Sequence, residues 1–106
     1  VTDYVAIYCR DKGNATELRM ATRPAHLDWI KAAPFVIAAA GPLLESEGRM
    51  VGSLLIVGSP DIEAVKAWVA GDPYAQAGLF ESVTITGFRH LIGAGLQRGA
   101  AEAAIA

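Results

Sequence analysis

Short apolar runs with a period of two and longer runs with a near-helical period succeed one another along the chain, separated by polar clusters. The first run, YVAIYCR at residues 4–10, sets Val5, Ile7 and Cys9 against Tyr4, Ala6 and Tyr8. Its β-branched and aromatic content predicts a strand with two apolar faces. A polar turn at Asp11, Lys12, Gly13 and Asn14 leads into residues 15–33, where Leu18, Ala21, Ala25 and Trp29 recur at helical spacing and predict a helix. Pro24 has no N–H for the carbonyl four residues back, so that helix is expected to bend there or to restart, which re-aims His26 two residues on. PFVIAAAGPLL predicts a second strand ending at Gly41-Pro42, ESEGR a polar hairpin turn, and MVGSLLIVG a third strand with neither side facing water. A second helix is expected to open with Ser59 as its cap, Pro60 at the first helical position and Asp61 and Glu63 in an acidic first turn. It would carry Ile62, Val65, Trp68 and Val69 inward and end at Gly71 in a left-handed conformation. After a DPY loop, residues 79–92 predict a last strand with Phe80, Ser82, Thr84, Thr86 and Phe88 on one side and Val83 and Ile85 on the other.

The order β-α-β-β-α-β predicts an α+β ferredoxin-like sandwich, a four-stranded antiparallel sheet with two helices on one face, within one domain at residues 1–92. Residues 93–106 form an alanine- and glycine-rich C-terminal tail, read as a frayed helix or an arm laid on a partner. The sheet's other face would then be bare and would carry Tyr4, Tyr8, Leu55, Val57 and Phe88, each Å² left in water costing about 25 cal/mol. A homodimer packed sheet to sheet, a dimeric α+β barrel, covers it. Composition agrees, because 53% of the 106 residues are apolar and 19% charged, against about 45–50% and about 25% in ordinary globular chains.

A net charge of −2 offers no basic footprint for nucleic acid. No uncharged apolar stretch approaches the roughly 18 residues of a membrane span, and the first residues show no leader pattern, so a cytoplasmic protein that leaves the membrane alone is expected. The single cysteine, Cys9, cannot make an internal disulfide, and no CxxC or HxxxH spacing suggests a metal site. Cys9 shares a strand face with Val5 and Ile7 and so reads as a small buried hydrophobe rather than a nucleophile.

With metal and thiol chemistry set aside, the search turns to histidines and their partners. His90, after the last strand, reads as a surface or tail residue. His26, in RPAHLDW, is either a packed helix histidine or one half of a catalytic pair, with Asp72 as the other half. Asp72 in turn is either the cap of a short helix with Pro73 at its first position or the carboxylate that steers the imidazole. The topology allows the pair, because the loop leaving the second helix can pass the middle of the first. A carboxylate on one ring nitrogen fixes the tautomer and raises the basicity of the other, giving a general base or acid near neutral pH. The two roles are compatible if one oxygen takes the backbone N–H and the other faces the histidine.

YCRDK closing the first strand, RPAHLDWI on the helix, GPLL, GSLLIV, DPYAQAGLFESVTI and the closing FR together resemble the YCII-related (YciI-like) family of small ferredoxin-like proteins over residues 4–92. The resemblance implies a dimeric α+β barrel akin to muconolactone isomerases and a His–Asp dyad in a pocket, which falls here on His26 and Asp72. It also implies lyase-like chemistry, dehydrochlorination of a chlorinated hydroxyquinol having been associated with the family. Around the dyad, Arg10 and Arg23 are candidate anion anchors, Ser53 a hydroxyl on the sheet, and Tyr74 and Phe80 aromatic walls. Each has a plainer role open to it: Arg10 can end its strand in solvent, Arg23 can pair with Asp11 or Glu63, and Tyr74 can plug the edge of the core.

Two functions remain. One is a small cofactor-independent enzyme of lyase or isomerase type, in which the His26–Asp72 dyad performs general acid–base chemistry on a small anionic or phenolic molecule. The other is a non-catalytic dimer module that binds a small molecule or serves a partner, and beside both stands a structural role only, with His26 and Asp72 consumed by capping and packing.

Overall fold

Strand β1 (Asp3–Asp11) runs through the middle of the sheet because both its faces are apolar, and β3 (Met50–Gly58) lies beside it for the same reason. With β2 (Val36–Leu44) and β4 (Phe80–Arg89) they make one antiparallel sheet in the order β2-β3-β1-β4. Helix α1 (Thr16–Lys31) joins β1 to β2, and α2 (Ile62–Ala70) with the short α3 (Pro73–Gln76) joins β3 to β4. The result is the βαββαβ ferredoxin-like α+β fold, described in a computed structural model over residues 3–94. Nearly all of the expected C-terminal tail lies outside the described residues. Among the described residues no helix is long and apolar enough to cross a membrane.

The register places Val5 opposite Val57, Ile7 opposite Leu55 and Cys9 opposite Ser53. These side chains share the helix side, where Val5, Ile7, Leu55 and Val57 join Ile37, Ile30, Val65 and Val69 in the buried core. Leu55 and Val57, expected on the bare face, are therefore core residues. Their neighbours Leu54 and Ile56, paired with Tyr8 and Ala6, occupy the other side instead. That far face keeps Tyr8, Leu54 and Phe88 substantially exposed, while Tyr4 is buried with its ring 6.4 Å from that of Phe88.

Phe80 departs from simple alternation. Pairing steps from Arg10–Ser82 to Asp11–Phe80, so Glu81 is an extra residue in β4 and the bulge turns Phe80 to the helix side with Ile85. The β2 strand likewise runs on past Gly41-Pro42, its expected end. It is an edge strand, where a proline without N–H breaks no interior ladder. The following hairpin turn puts Glu47 and Gly48 at φ of 65° and 75°.

Helix α1 passes through Pro24 as one helix, with the proline on its exposed side. Asp61, not Ser59, caps α2, accepting from the N–H groups of Glu63 and Ala64 at 3.1 Å each, while the Ser59 hydroxyl accepts from Asp61 N. The left-handed glycine expected at position 71 is at 78. Gly71 has φ −90° and closes a right-handed turn through its N–H on Trp68 O. At the end of α3, Gly78 takes φ 75°, its N–H reaches Ala75 O, and Leu79 N–H reaches back to Tyr74 O, the six-to-one bond of a Schellman stop. The seated α3 lies against α1 and fixes Asp72 and Tyr74 beside it.

Candidate active site

The inward face of α1 is polar. Arg19 and His26 are buried with Ile30, and Arg23 stands between them, so positions 19, 23, 26 and 30 follow one helical stripe. Leu18, Ala21 and Ala25, whose spacing marks an apolar stripe, are exposed, and Trp29 is half-buried.

Asp72 does two jobs with one atom. Its Oδ1 accepts the Tyr74 N–H at 2.9 Å, capping α3, and also lies 2.8 Å from His26 Nδ1. The expected division of labour between its two oxygens is not observed. Both partners are buried, Asp72 at 2% and His26 at 8% exposure, so the contact is little screened by water. In a neutral imidazole this carboxylate partner places the ring hydrogen on Nδ1, which leaves the lone pair on Nε2. Tyr74 stacks on the imidazole at 4.1 Å between ring centroids and 18° between planes, and Trp29 leans on it at 5.6 Å. Residues 72–74 therefore supply the histidine's partner and its platform from a single capped turn.

Beside this pair lies a cavity of about 170 Å³ between α1 and the β2–β3 hairpin. Arg19, Arg23, His26, Ser53 and Tyr74 provide its polar lining, and Leu27, Ile30, Pro42, Met50 and Leu55 much of its apolar wall. Arg19 is held as a fork on Asp11, with Nε 2.7 Å from Oδ2 and Nη2 2.9 Å from Oδ1. Nη2 also donates to Ser53 Oγ at 2.9 Å, and the guanidinium lies 4.5 Å from the Tyr74 ring centroid. Burial works against the charge on Arg19, but the hydrogen bond and charge of Asp11 outweigh it and hold the guanidinium above its ordinary value. Burial pushes the Tyr74 phenol up, with Arg19 and Arg23 opposing. Burial also pushes the Cys9 thiol up to about 12, helped by Asp72 and Asp11, so it is a neutral core side chain at physiological pH.

The structure thus brings His26, Asp72, Arg23, Ser53 and Tyr74 together. Phe80 stands behind Tyr74, edge-on at 6.0 Å and 73°, rather than on the cavity wall. Arg10 lies elsewhere, 3.5 Å from Glu45 in an exposed pair. His90 packs its ring near Phe88 and contacts Gly93 O. Arg19 was not among the residues singled out from sequence. Its signal was present as the spacing Arg19, Arg23, His26, which shares one face of a helix. Among the described residues no three metal-ligating side chains converge.

Comparison with known proteins agrees with this fold. The pattern of the YCII-related domain matches residues 4–89. The chain belongs to the YCII-related family. The protein YciI of Escherichia coli O6:H1 is 32% identical over 91 residues, covering 78% of this chain and 93% of that protein. An uncharacterized protein of Haemophilus influenzae is 31% identical over 94 residues, covering 81% and 96%. Among solved structures, the 5-chloro-2-hydroxyhydroquinone dehydrochlorinase TftG of Burkholderia phenoliruptrix AC1100, complexed with 2,5-dihydroxybenzoquinone, superposes with a TM-score of 0.77 at 27% identity. The match spans 82% of this chain and 94% of that one. An antibiotic biosynthesis monooxygenase, at TM-score 0.55 and 11% identity over 85% and 99% of the two chains, shares the fold.

Proposed function

We propose that this YCII-related protein is a small cofactor-independent enzyme in which His26, oriented by Asp72, moves a proton on a small anionic or phenolic molecule in an elimination or isomerisation. One observation carries it: Nδ1 of a buried histidine is committed to a buried carboxylate at 2.8 Å, while the same ring lines a cavity of about 170 Å³. In the forward step Nε2 accepts a proton from the ligand, and the Asp72 carboxylate stabilises the imidazolium that forms. The electron pair left on the ligand then expels a leaving group, or the proton returns at another atom. Such assistance supplies about 10²–10⁴-fold, and positioning within the cavity adds to it.

The likeness to TftG suggests the first substrates to try, chlorinated hydroxyhydroquinones, with chloride release as the readout. His26→Ala is expected to lower kcat by about 10²–10⁴-fold with a native circular dichroism spectrum. Equal turnover in a folded His26→Ala variant ends the proposal, and saturable binding without chloride release from any such substrate favours a ligand-binding module. The same proposal includes a cytoplasmic homodimer whose interface is the sheet face bearing Tyr8, Leu54 and Phe88. A monomeric mass by light scattering at micromolar concentration would remove the dimer from it.

A further inference from the structure

Two hollows lie along α1. One is the cavity beside His26, and the other, of about 370 Å³, lies where α1 begins and is lined by charged side chains from the ends of β1 and β4 and from the β2–β3 hairpin. Met50 is the one residue that lines both. The fork of Arg19 on Asp11 also joins them, since Arg19 lines the first hollow and Asp11 the second. That fork is buried, charged and held at two points, so it does not yield to a ligand. Met50 is different. It opens β3 opposite Leu44, is half-buried, and no hydrogen bond holds its side chain among the described residues. An unbranched thioether chain fits the gap it is given. The partition therefore has one fixed half and one half that a single side chain decides.

Volume and charge say what each hollow takes. A cavity of about 150 Å³ holds a benzene ring, so about 170 Å³ suits one substituted ring and little more. Beyond Met50, Asp11 is engaged by Arg19, and Glu45 is shared by Arg10 and Arg49 at 3.5 and 2.6 Å. Lys12 and Glu81 make no ion pair among the described residues. One positive charge is left over, so an arm that reaches this hollow fits best when it ends in a carboxylate.

We propose that Met50 is a specificity-determining residue of this site: it closes the cavity towards the charged hollow, so that the ligand is a single ring without a long arm on that side. The assignment rests on the phenolic ligand proposed above. Shortening Met50 joins the two hollows and admits a ring whose arm carries a carboxylate to Lys12.

The test uses the full chain and two phenols that differ in their arm, 4-methylphenol and 3-(4-hydroxyphenyl)propanoate, with binding followed by calorimetry. The wild type is expected to hold 4-methylphenol about tenfold more tightly than the propanoate. Met50→Ala should bind the propanoate about tenfold more tightly than the wild type does, and Lys12→Gln in that background should give back about threefold of the gain. Met50→Phe, which fills the cavity further, should weaken 4-methylphenol by roughly tenfold. A wild type that binds both phenols alike, or neither, overturns the proposal, as does a folded Met50→Ala with the wild-type preference. A gain in Met50→Ala that Lys12→Gln leaves whole overturns the part played by the charged hollow. If Met50→Ala does not fold, Met50→Phe decides, because unchanged binding of 4-methylphenol in it overturns the assignment. These outcomes leave the dyad standing. Loss of chloride release in every substrate tested, with the Met50-dependent preference intact, does the reverse.

Discussion

Helices α1 and α2 cover the same face of one sheet, yet they bury opposite kinds of side chain. In α2, Val65 and Val69 are buried, Ile62 and Trp68 pack partly against the core, and Glu63 and Lys66 face solvent in a pair at 3.2 Å. In α1, Arg19 and His26 are buried while Leu18, Met20 and Leu27 are 39%, 46% and 40% exposed. The first arrangement gains about 1.5–3 kcal/mol for each large apolar side chain removed from water. The second gains little, because burying a charge costs several kcal/mol unless a partner offsets it. Each buried polar side chain on α1 therefore has its partner, Asp11 for Arg19 and Asp72 for His26. Both departures of α1 from the apolar-inside rule face the same cavity, and α2 with the sheet supplies the stability that allows them.

The largest expected contrast is in catalysis. Asp72→Asn keeps an oxygen to accept the Tyr74 N–H but removes the charge that steadies an imidazolium. It should lower kcat by about 10²–10⁴-fold while moving the urea midpoint little. The corresponding change on the other helix, Val65→Ala, should do the opposite, leaving kcat near wild type and costing about 2 kcal/mol. If Asp72→Asn unfolds the protein and spares the rate of what remains folded, the polar side of α1 is structural after all.

Next in size is the buried ion pair. Asp11→Ala strands the Arg19 guanidinium and is expected to cost about 3–5 kcal/mol in urea unfolding. Replacing both partners, Asp11→Leu with Arg19→Met, should recover most of that loss, since two apolar groups pack without a desolvation cost. A double variant as unstable as the single one would mean that the pair contributes net stability and that α1 is built like α2. Smaller again is the cap of α2, where Asp61→Ala should cost about 1 kcal/mol and leave the site untouched.

The same contrast explains what could be read from sequence. Strand patterning and element order placed the four strands and the inward residues of α2 correctly, because there apolar periodicity and burial coincide, whereas Leu55 and Val57 of the two-faced β3 were set on the wrong side of the sheet. On α1 they do not coincide: the stripe Leu18, Ala21, Ala25, Trp29 is the one a periodicity rule selects, and the buried stripe is Arg19, His26, Ile30. The His26–Asp72 pairing was legible because two histidines left a short search and Asp-Pro after Gly announces a cap that brings its carboxylate to a known place. Arg19 was not, since its partner Asp11 looked like an ordinary turn residue. Phe80 and Gly71 were misassigned for local reasons, a one-residue bulge in β4 and a right-handed turn where a left-handed glycine is the commoner choice.

Alkaline stability gives the finest measure of the difference between the two helices. Burial raises the Cys9 thiol from about 9 to about 12 in the folded chain, with Asp72 and Asp11, both serving α1, adding to the rise. A raised pKa means that the folded state holds the proton after the unfolded chain has released it. The stabilisation is therefore complete below pH 9 and is lost as pH climbs towards 12, at about 1.4 kcal/mol per pH unit. The Tyr74 phenol, also raised by burial, adds a loss of the same sign above about pH 10. Between pH 9 and 10 the wild type should lose about 1 kcal/mol in urea unfolding, and Cys9→Ala, although less stable at neutral pH, should lose much less over that interval. Asp72→Asn removes one of the charges that raise the thiol and should end the Cys9 loss at a lower pH, whereas Val65→Ala should leave the slope as it is. An equal slope in Cys9→Ala would place the alkaline sensitivity elsewhere and separate the thiol from the carboxylates that serve α1.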